Sequence, residues 1–168
     1  MRKVCYADPP YIGCAKRYPE QREVDHALLI TRLSESWDTW ALSCHTPSLQ
    51  RLLALCPSDV RVCAWVKPFC AFKPNVNPAY AWEPIIVRGL PKLGRTVATI
   101  RDFVSANITL KRGLCGAKPP AFNVWLADLL GVCAETVCTD LFPGTGGFTA
   151  ECVARAAIID ATRWSPHA

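Results

Sequence analysis

The stretch VCYADPPY, residues 4–11, joins a short apolar run to a carboxylate, two prolines and an aromatic ring. Four apolar residues bounded by Asp8 predict a short buried strand over residues 4–7. Beyond it, Pro9 and Pro10 fix φ and remove two N–H donors, so the turn displays oxygen acceptors in a set geometry. A second stretch has the same form. Residues 136–141 predict a strand, and it runs into Phe142-Pro143-Gly144-Thr145-Gly146-Gly147. Glycines there let the backbone turn tightly and approach a ligand closely.

Between these strands, strand and helix signals alternate. Residues 24–33 read as a helix with Ala27, Leu28, Ile30 and Leu33 apolar, and 39–44 as a second strand. Residues 48–55 read as a second helix, with Thr46 as cap and Pro47 in the first turn. Residues 61–66 and 84–88 predict two more strands, separated by a connection rich in proline and asparagine. A polar, basic stretch follows to Gly116. Residues 122–130 then form an amphipathic helix closed by Gly131. Such alternation predicts an α/β fold, a mostly parallel Rossmann-like sheet with one antiparallel hairpin strand and helices on both faces. Sheets of this kind bind ligands at the carboxyl ends of their strands, which puts Asp8–Tyr11 and the glycine loop on one edge.

At 168 residues the chain has the length of a single domain, read here as 1–168. Apolar residues make up 51% and charged residues 20%, a balance that excludes a disordered chain. No apolar run reaches the length of a membrane span or builds a signal sequence before Asp8, so a cytoplasmic protein is expected. Ten cysteines lie mostly inside apolar runs without a CxxC pair, and the histidines complete no zinc spacing; buried thiols and no metal are expected. His26 and His45 read as structural. The net charge is +5, and residues 88–118 alone hold seven basic residues against Asp102. That stretch, with Arg95, Arg101, Lys111 and Arg112, is a candidate phosphate-binding surface. The 67–83 connection mixes Phe69, Phe72, Tyr80 and Trp82 with Lys73, Asn75 and Asn77, which suits stacking and amide reading of bases.

Three segments carry a family resemblance: ADPPY at 7–11, GAKPPAFNVWLADLLG at 116–131 and DLFPGTGGF at 140–148. In them the chain resembles the S-adenosylmethionine-dependent DNA adenine-N6 methyltransferases, in the permuted order with the catalytic motif first. Small phage-encoded members look similar in length and in residues 65–89, which implies a phage origin and a modification or self-protection role. The resemblance implies that Asp8, Pro9, Pro10 and Tyr11 hold the target amine. It implies a cofactor pocket from Asp140, Phe142, Gly144, Thr145 and Gly146, with Lys118, Pro119 and Phe122 as its other wall. Double-stranded DNA is the implied partner. RNA adenine, cytosine N4, and a silent nucleic-acid-binding protein stay open as alternatives. Members usually carry a strand after the glycine loop that ends in a ribose-binding acid; Asp160 either fills that role or lies on a helix. The sheet is expected to be reduced at its C-terminal end, with an exposed edge that could pair with a second copy.

Overall fold

A computed structural model describes residues 1–18, 21–70, 72, 74–109 and 117–166. Seven strands form one sheet: β1 (Arg2–Ala7), β2 (Thr39–Ser43), β3 (Arg61–Val66), β4 (Trp82–Arg88), β5 (Phe103–Ser105), β6 (Thr136–Asp140) and β7 (Ile158–Asp160). Four α-helices cover it: α1 (His26–Ser36), α2 (Thr46–Leu53), α3 (Pro120–Leu130) and α4 (Gly147–Ala154). The strand order is β5-β3-β4-β2-β1-β6-β7. Only β4 runs against its neighbours, pairing antiparallel with both β2 and β3. The α/β sheet, mostly parallel with one antiparallel hairpin strand, is the predicted architecture.

Alternation along the strands divides the core between the two faces. Val4 and Tyr6 of β1, Ala41 of β2 and Ile85 and Val87 of β4 pack with Phe122, Trp125 and Leu126 of α3 and Phe148 and Cys152 of α4. Cys5, Ala7, Trp40, Leu42 and Ile86 face the other way, onto Leu29, Ile30 and Leu33 of α1 and Leu52 of α2. Helix α1 buries His26, Leu29, Ile30 and Leu33, the spacing of one helical face, while Leu28 is exposed. Asp25 caps it by accepting the Leu28 N–H at 3.0 Å. The His26 ring is buried, and its Nδ1–H donates to the Val24 carbonyl, a structural role.

Three local expectations change. Helix α2 begins two residues early, with His45 as its cap position and Thr46 already helical; Ser48 Oγ and His45 Nδ1 share a 2.7 Å hydrogen bond there. Strand β5 stands inside the basic stretch, too short at three residues to show a period in the sequence. Asp160 lies on strand β7 and not on a helix.

The connection β1-α1-β2 leads to one side of β1, whereas β6 lies on its other side and leads outward through α4 to β7. The chain reverses direction across the sheet between β1 and β6. At that point the loops after Ala7 and Asp140 diverge and leave a crevice.

At the opposite edge, Gly89 turns the chain out of β4 with φ +69°, and a Cβ built on it would meet the Asp38 carbonyl oxygen at 2.0 Å. Gly89→Ala should therefore destabilise the fold by about 2 kcal/mol or more, from left-handed strain plus displacement of backbone. A drop in the urea midpoint at unchanged m-value checks it.

Candidate functional site

A cavity of about 710 Å³ occupies the crevice between the β1 and β6 loops. Asp8 and Pro10 line it from one side, and Asp140, Phe142, Gly144 and Thr145 from the other. Tyr6, Asn123 and Lys118 line it as well.

Asp140 ends β6 with its side chain buried among these groups. Its Oδ2 accepts from Thr149 Oγ1 at 3.2 Å, whereas Oδ1 is buried with no hydrogen-bond partner among the described residues. Burial pushes this carboxyl up to about 6, helped by the nearby Asp8, against the pull of Thr149, the Phe142 N–H and Arg163. The loop that follows needs its glycines: Gly144 and Gly146 have φ +49° and +74°, and Gly146 is the cap position of α4. Gly147 has a different constraint, since a Cβ there would meet Asn123 Nδ2 at 2.5 Å.

On the β1 side, Asp8 forms a bidentate ion pair with Lys118, whose Nζ donates to Oδ1 at 3.0 Å and Oδ2 at 2.9 Å. The ammonium also donates to the Tyr11 hydroxyl at 3.2 Å and lies 3.4 Å from Glu83 Oε2. Tyr11 in turn donates to Glu83 Oε2 at 2.8 Å, and Lys67 donates to Glu83 Oε1. Burial raises the Asp8 carboxyl despite Lys118. Burial would raise Glu83 too, but Lys118, Lys67 and the Tyr11 hydroxyl together hold it below its ordinary range. Burial likewise disfavours the charged Lys118, and Asp8, Tyr11, Tyr6 and Glu83 outweigh it and keep the ammonium protonated. The Tyr11 ring stacks on His45, centroids 5.3 Å apart and planes 11° apart, so one face of the tyrosine is covered.

The predicted site residues thus separate into groups. Asp8, Pro10, Lys118, Asp140, Phe142, Gly144 and Thr145 meet around one cavity. Pro9 is buried beneath the loop, and Pro119 is the cap position of α3. Phe122 is wholly buried against Tyr6, Trp65 and Trp125, so it supports the wall from within the core and is not part of the lining. Asn75 and Asn77 are exposed on the connection from β3 to β4, and Tyr80 and Trp82 join them around a smaller hollow of about 390 Å³. That connection leaves the end of β3, which is parallel to β1 through β4 and β2, and so it stands at the same edge as Asp8. Arg95 and Arg101 are not brought there. They belong to the segment between β4 and β5, which leaves and re-enters the sheet at the opposite edge. Lys73, Lys111 and Arg112 lie outside the described residues.

Asp160, at the end of β7, accepts from the Thr162 N–H and hydroxyl at 3.0 and 2.7 Å and from Thr139 at 3.2 Å; these bonds hold its carboxyl low. It is not part of the cavity lining. The tail just beyond it is. Trp164 stacks on Phe142 at 6.1 Å, and Arg163 donates to the Asp140 carbonyl at 3.2 Å. Trp164 lies outside the motifs, and Glu83 and Asn123, though inside segments that carry the resemblance, are given no role by it; a buried or pocket-facing polar group becomes visible only with the fold. Among the described residues no cluster of three or more His, Cys, Asp or Glu could hold a metal ion, and no helix is long and apolar enough to cross a membrane.

No protein-family model and no curated protein sequence matches the chain. Solved structures do. The complex of M1.HpyAVI with S-adenosylmethionine aligns at a TM-score of 0.64 and 12% identity, over 99% of this chain and 85% of that one. The PvuII DNA methyltransferase, cytosine-N4-specific, aligns at 0.68 and 9%, over 99% and 76%. At these identities the likeness establishes the fold alone, a Rossmann-like α/β sheet shared with these two proteins.

The geometry of Asp140 has a measurable cost. Its carboxyl titrates near 6 in the folded chain and near 3.8 when unfolded, so the folded state is penalised above pH 6 and relieved below about pH 4. Asp140→Asn should stabilise the fold at pH 8 by as much as about 3 kcal/mol, seen as a higher urea midpoint, with the gain vanishing between pH 6 and pH 4. Paired denaturation curves at pH 8 and pH 4 check both the gain and its loss.

Proposed function

We propose that the protein transfers a methyl group from S-adenosylmethionine to the exocyclic amine of a DNA base, adenine N6 in the first instance. The observation that carries this reading is the common cavity: one carboxylate from each side of the crevice, Asp8 and Asp140, with the glycine loop between α4 and β6.

The cavity's residues fit this cofactor. Its volume of about 710 Å³ is in the range of cofactor sites. Asp140 Oδ1, buried without a hydrogen-bond partner among the described residues, is an acceptor for a cationic group, and the cofactor carries an ammonium and a sulfonium. The Phe142 ring, backed by Trp164, gives an apolar surface beside it. When bound, the cofactor supplies an electrophilic methyl group.

The residues after β1 suit the nucleophile. A base amine is a poor nucleophile because its lone pair is delocalised into the ring, and acceptors that draw its hydrogens out of plane localise that pair. Asp8 provides one acceptor and the Pro9 carbonyl another, in a loop whose prolines offer no competing donors. Asp8 Oδ2 retains a lone pair beyond its bond to Lys118, so the ion pair leaves an acceptor for the amine, while Oδ1 also faces the Tyr11 hydroxyl at 3.5 Å. Tyr11 can stack on an extruded base by the face away from His45. The DPPY resemblance favours adenine; cytosine N4 is the second reading, favoured by the likeness to the PvuII enzyme.

Transfer of labelled methyl groups to duplex DNA and to RNA, followed by nucleoside digestion, tests the activity and identifies the base. Asp8→Ala should abolish transfer while leaving cofactor affinity within a few-fold, as measured by calorimetry. Wild-type cofactor affinity should fall as pH drops below 6, by up to about tenfold per unit, because protonated Asp140 no longer attracts the cation. In Asp140→Asn the affinity should be low and flat across the same range.

A further inference from the structure

Glu83 is given no role by the sequence motifs, yet three separate segments converge on it. It is the second residue of β4, at the edge where the antiparallel strand enters the sheet beside Asp8. Lys67, just past the end of β3, donates to Oε1; Tyr11, from the loop after β1, donates to Oε2; Lys118, ahead of α3, lies 3.4 Å from the same oxygen. The carboxylate is 15% exposed and the Lys118 side chain 7%. Buried charges of this kind are kept only when they are paired, and here the pairing runs unbroken from Lys67 through Glu83 and Lys118 to Asp8.

We propose that Glu83 is a positioning residue of the transfer site: it anchors Tyr11 by the hydroxyl and shares the Lys118 ammonium with Asp8, which sets Asp8's strength as an acceptor for the target amine. This rests on the reading of Asp8 given above. Lys118 stands between two carboxylates that compete for it. Drawn towards Glu83, it leaves Asp8 a stronger acceptor; drawn towards Asp8, it weakens that acceptor. Lys67 decides the division, because it neutralises Glu83 from the far side. Lys67 and Glu83 also close the foot of the 68–81 connection, where the Lys67 N–H donates to the Ala81 carbonyl at 2.8 Å. The residues offered to a nucleic acid are therefore clamped by the same pair that governs Asp8.

The test is the titration of the Asp8 carboxyl in the full chain by carbon NMR, assigned with Asp8→Asn, beside the pH profile of methyl transfer. The charged and titratable groups that face Asp8 are Lys118, Glu83, Tyr11, Tyr6 of β1, Asp140 of β6 and Cys44 after β2. Glu83→Gln removes the competitor and turns Lys118 wholly to Asp8. The Asp8 midpoint should fall, the acid limb of kcat/KM should move the same way, and kcat should drop roughly tenfold with cofactor affinity unchanged. Lys67→Met should act with the opposite sign, since an uncompensated Glu83 pulls Lys118 from Asp8; the midpoint and the acid limb should both rise. Both variants titrating Asp8 at the wild-type midpoint, or both moving it in one direction, would overturn the proposal. A wild-type chain that methylates nothing would refute the activity, and the titration, made without DNA, would still decide the role of Glu83.

Discussion

The parallel pairing of β1 with β2 on one side and β6 on the other is the constraint from which the site follows. Registers Tyr6 with Ala41 and Tyr6 with Asp140 bring the ends of three strands level, so the loops beginning at Asp8, Cys44 and Leu141 leave the sheet together. Because the crossovers from β1 and β6 depart in opposite directions, the first and third of these loops separate instead of packing. The cavity is what a doubly wound sheet leaves at such a reversal. Antiparallel β4 then adds something that parallel strands cannot: it delivers residues at its beginning, Trp82 and Glu83, to the edge where its neighbours deliver their ends.

That edge carries an electrostatic load. Asp8, Glu83, Lys67 and Lys118 form a neutral set whose members are each largely removed from water. Such a set is stable only as a whole, since deleting one charge strands another. Lys118 therefore does more than line the cavity. It is the cation that allows a buried Asp8 to stay ionised, and its own burial is tolerable because two carboxylates surround it. Among the described residues Asp140 has no ion pair, and its raised carboxyl and unpartnered Oδ1 are unfavourable for the fold taken alone.

The sheet was legible because apolar runs such as residues 61–66 match strand length and are bounded by polar breaks, and because β1 and β6 both end in a carboxylate followed by turn-forming residues. Strand β5 was not: three residues with only Val104 partly buried leave no periodic signal, and its place depends on pairing with β3. The same strand explains why the described basic residues of 88–118 do not make one surface. It divides them, so that Arg95 and Arg101 belong to one end of the sheet and Lys118 to the other. Charge density along a chain predicts a patch only when the chain does not cross the sheet between the charges. Glu83 and Trp164 were illegible for a related reason. Each is an ordinary residue in its own segment and acquires a role from a neighbour more than twenty positions away, Tyr11 in one case and Phe142 in the other.

Tyr11 illustrates how the two levels combine. Read from the sequence, it is an aromatic face after a stiff turn; in the fold its hydroxyl is held by Glu83 and Lys118 and one face lies on His45. These contacts restrict the two torsions of the ring before any ligand arrives, so the ordering cost falls on folding and not on binding. The prolines act on the backbone of the loop in the same direction. In the proposed reaction, which holds one exocyclic amine in line with a cofactor, such restriction gains more than further contacts would, because misalignment by an ångström costs orders of magnitude in rate.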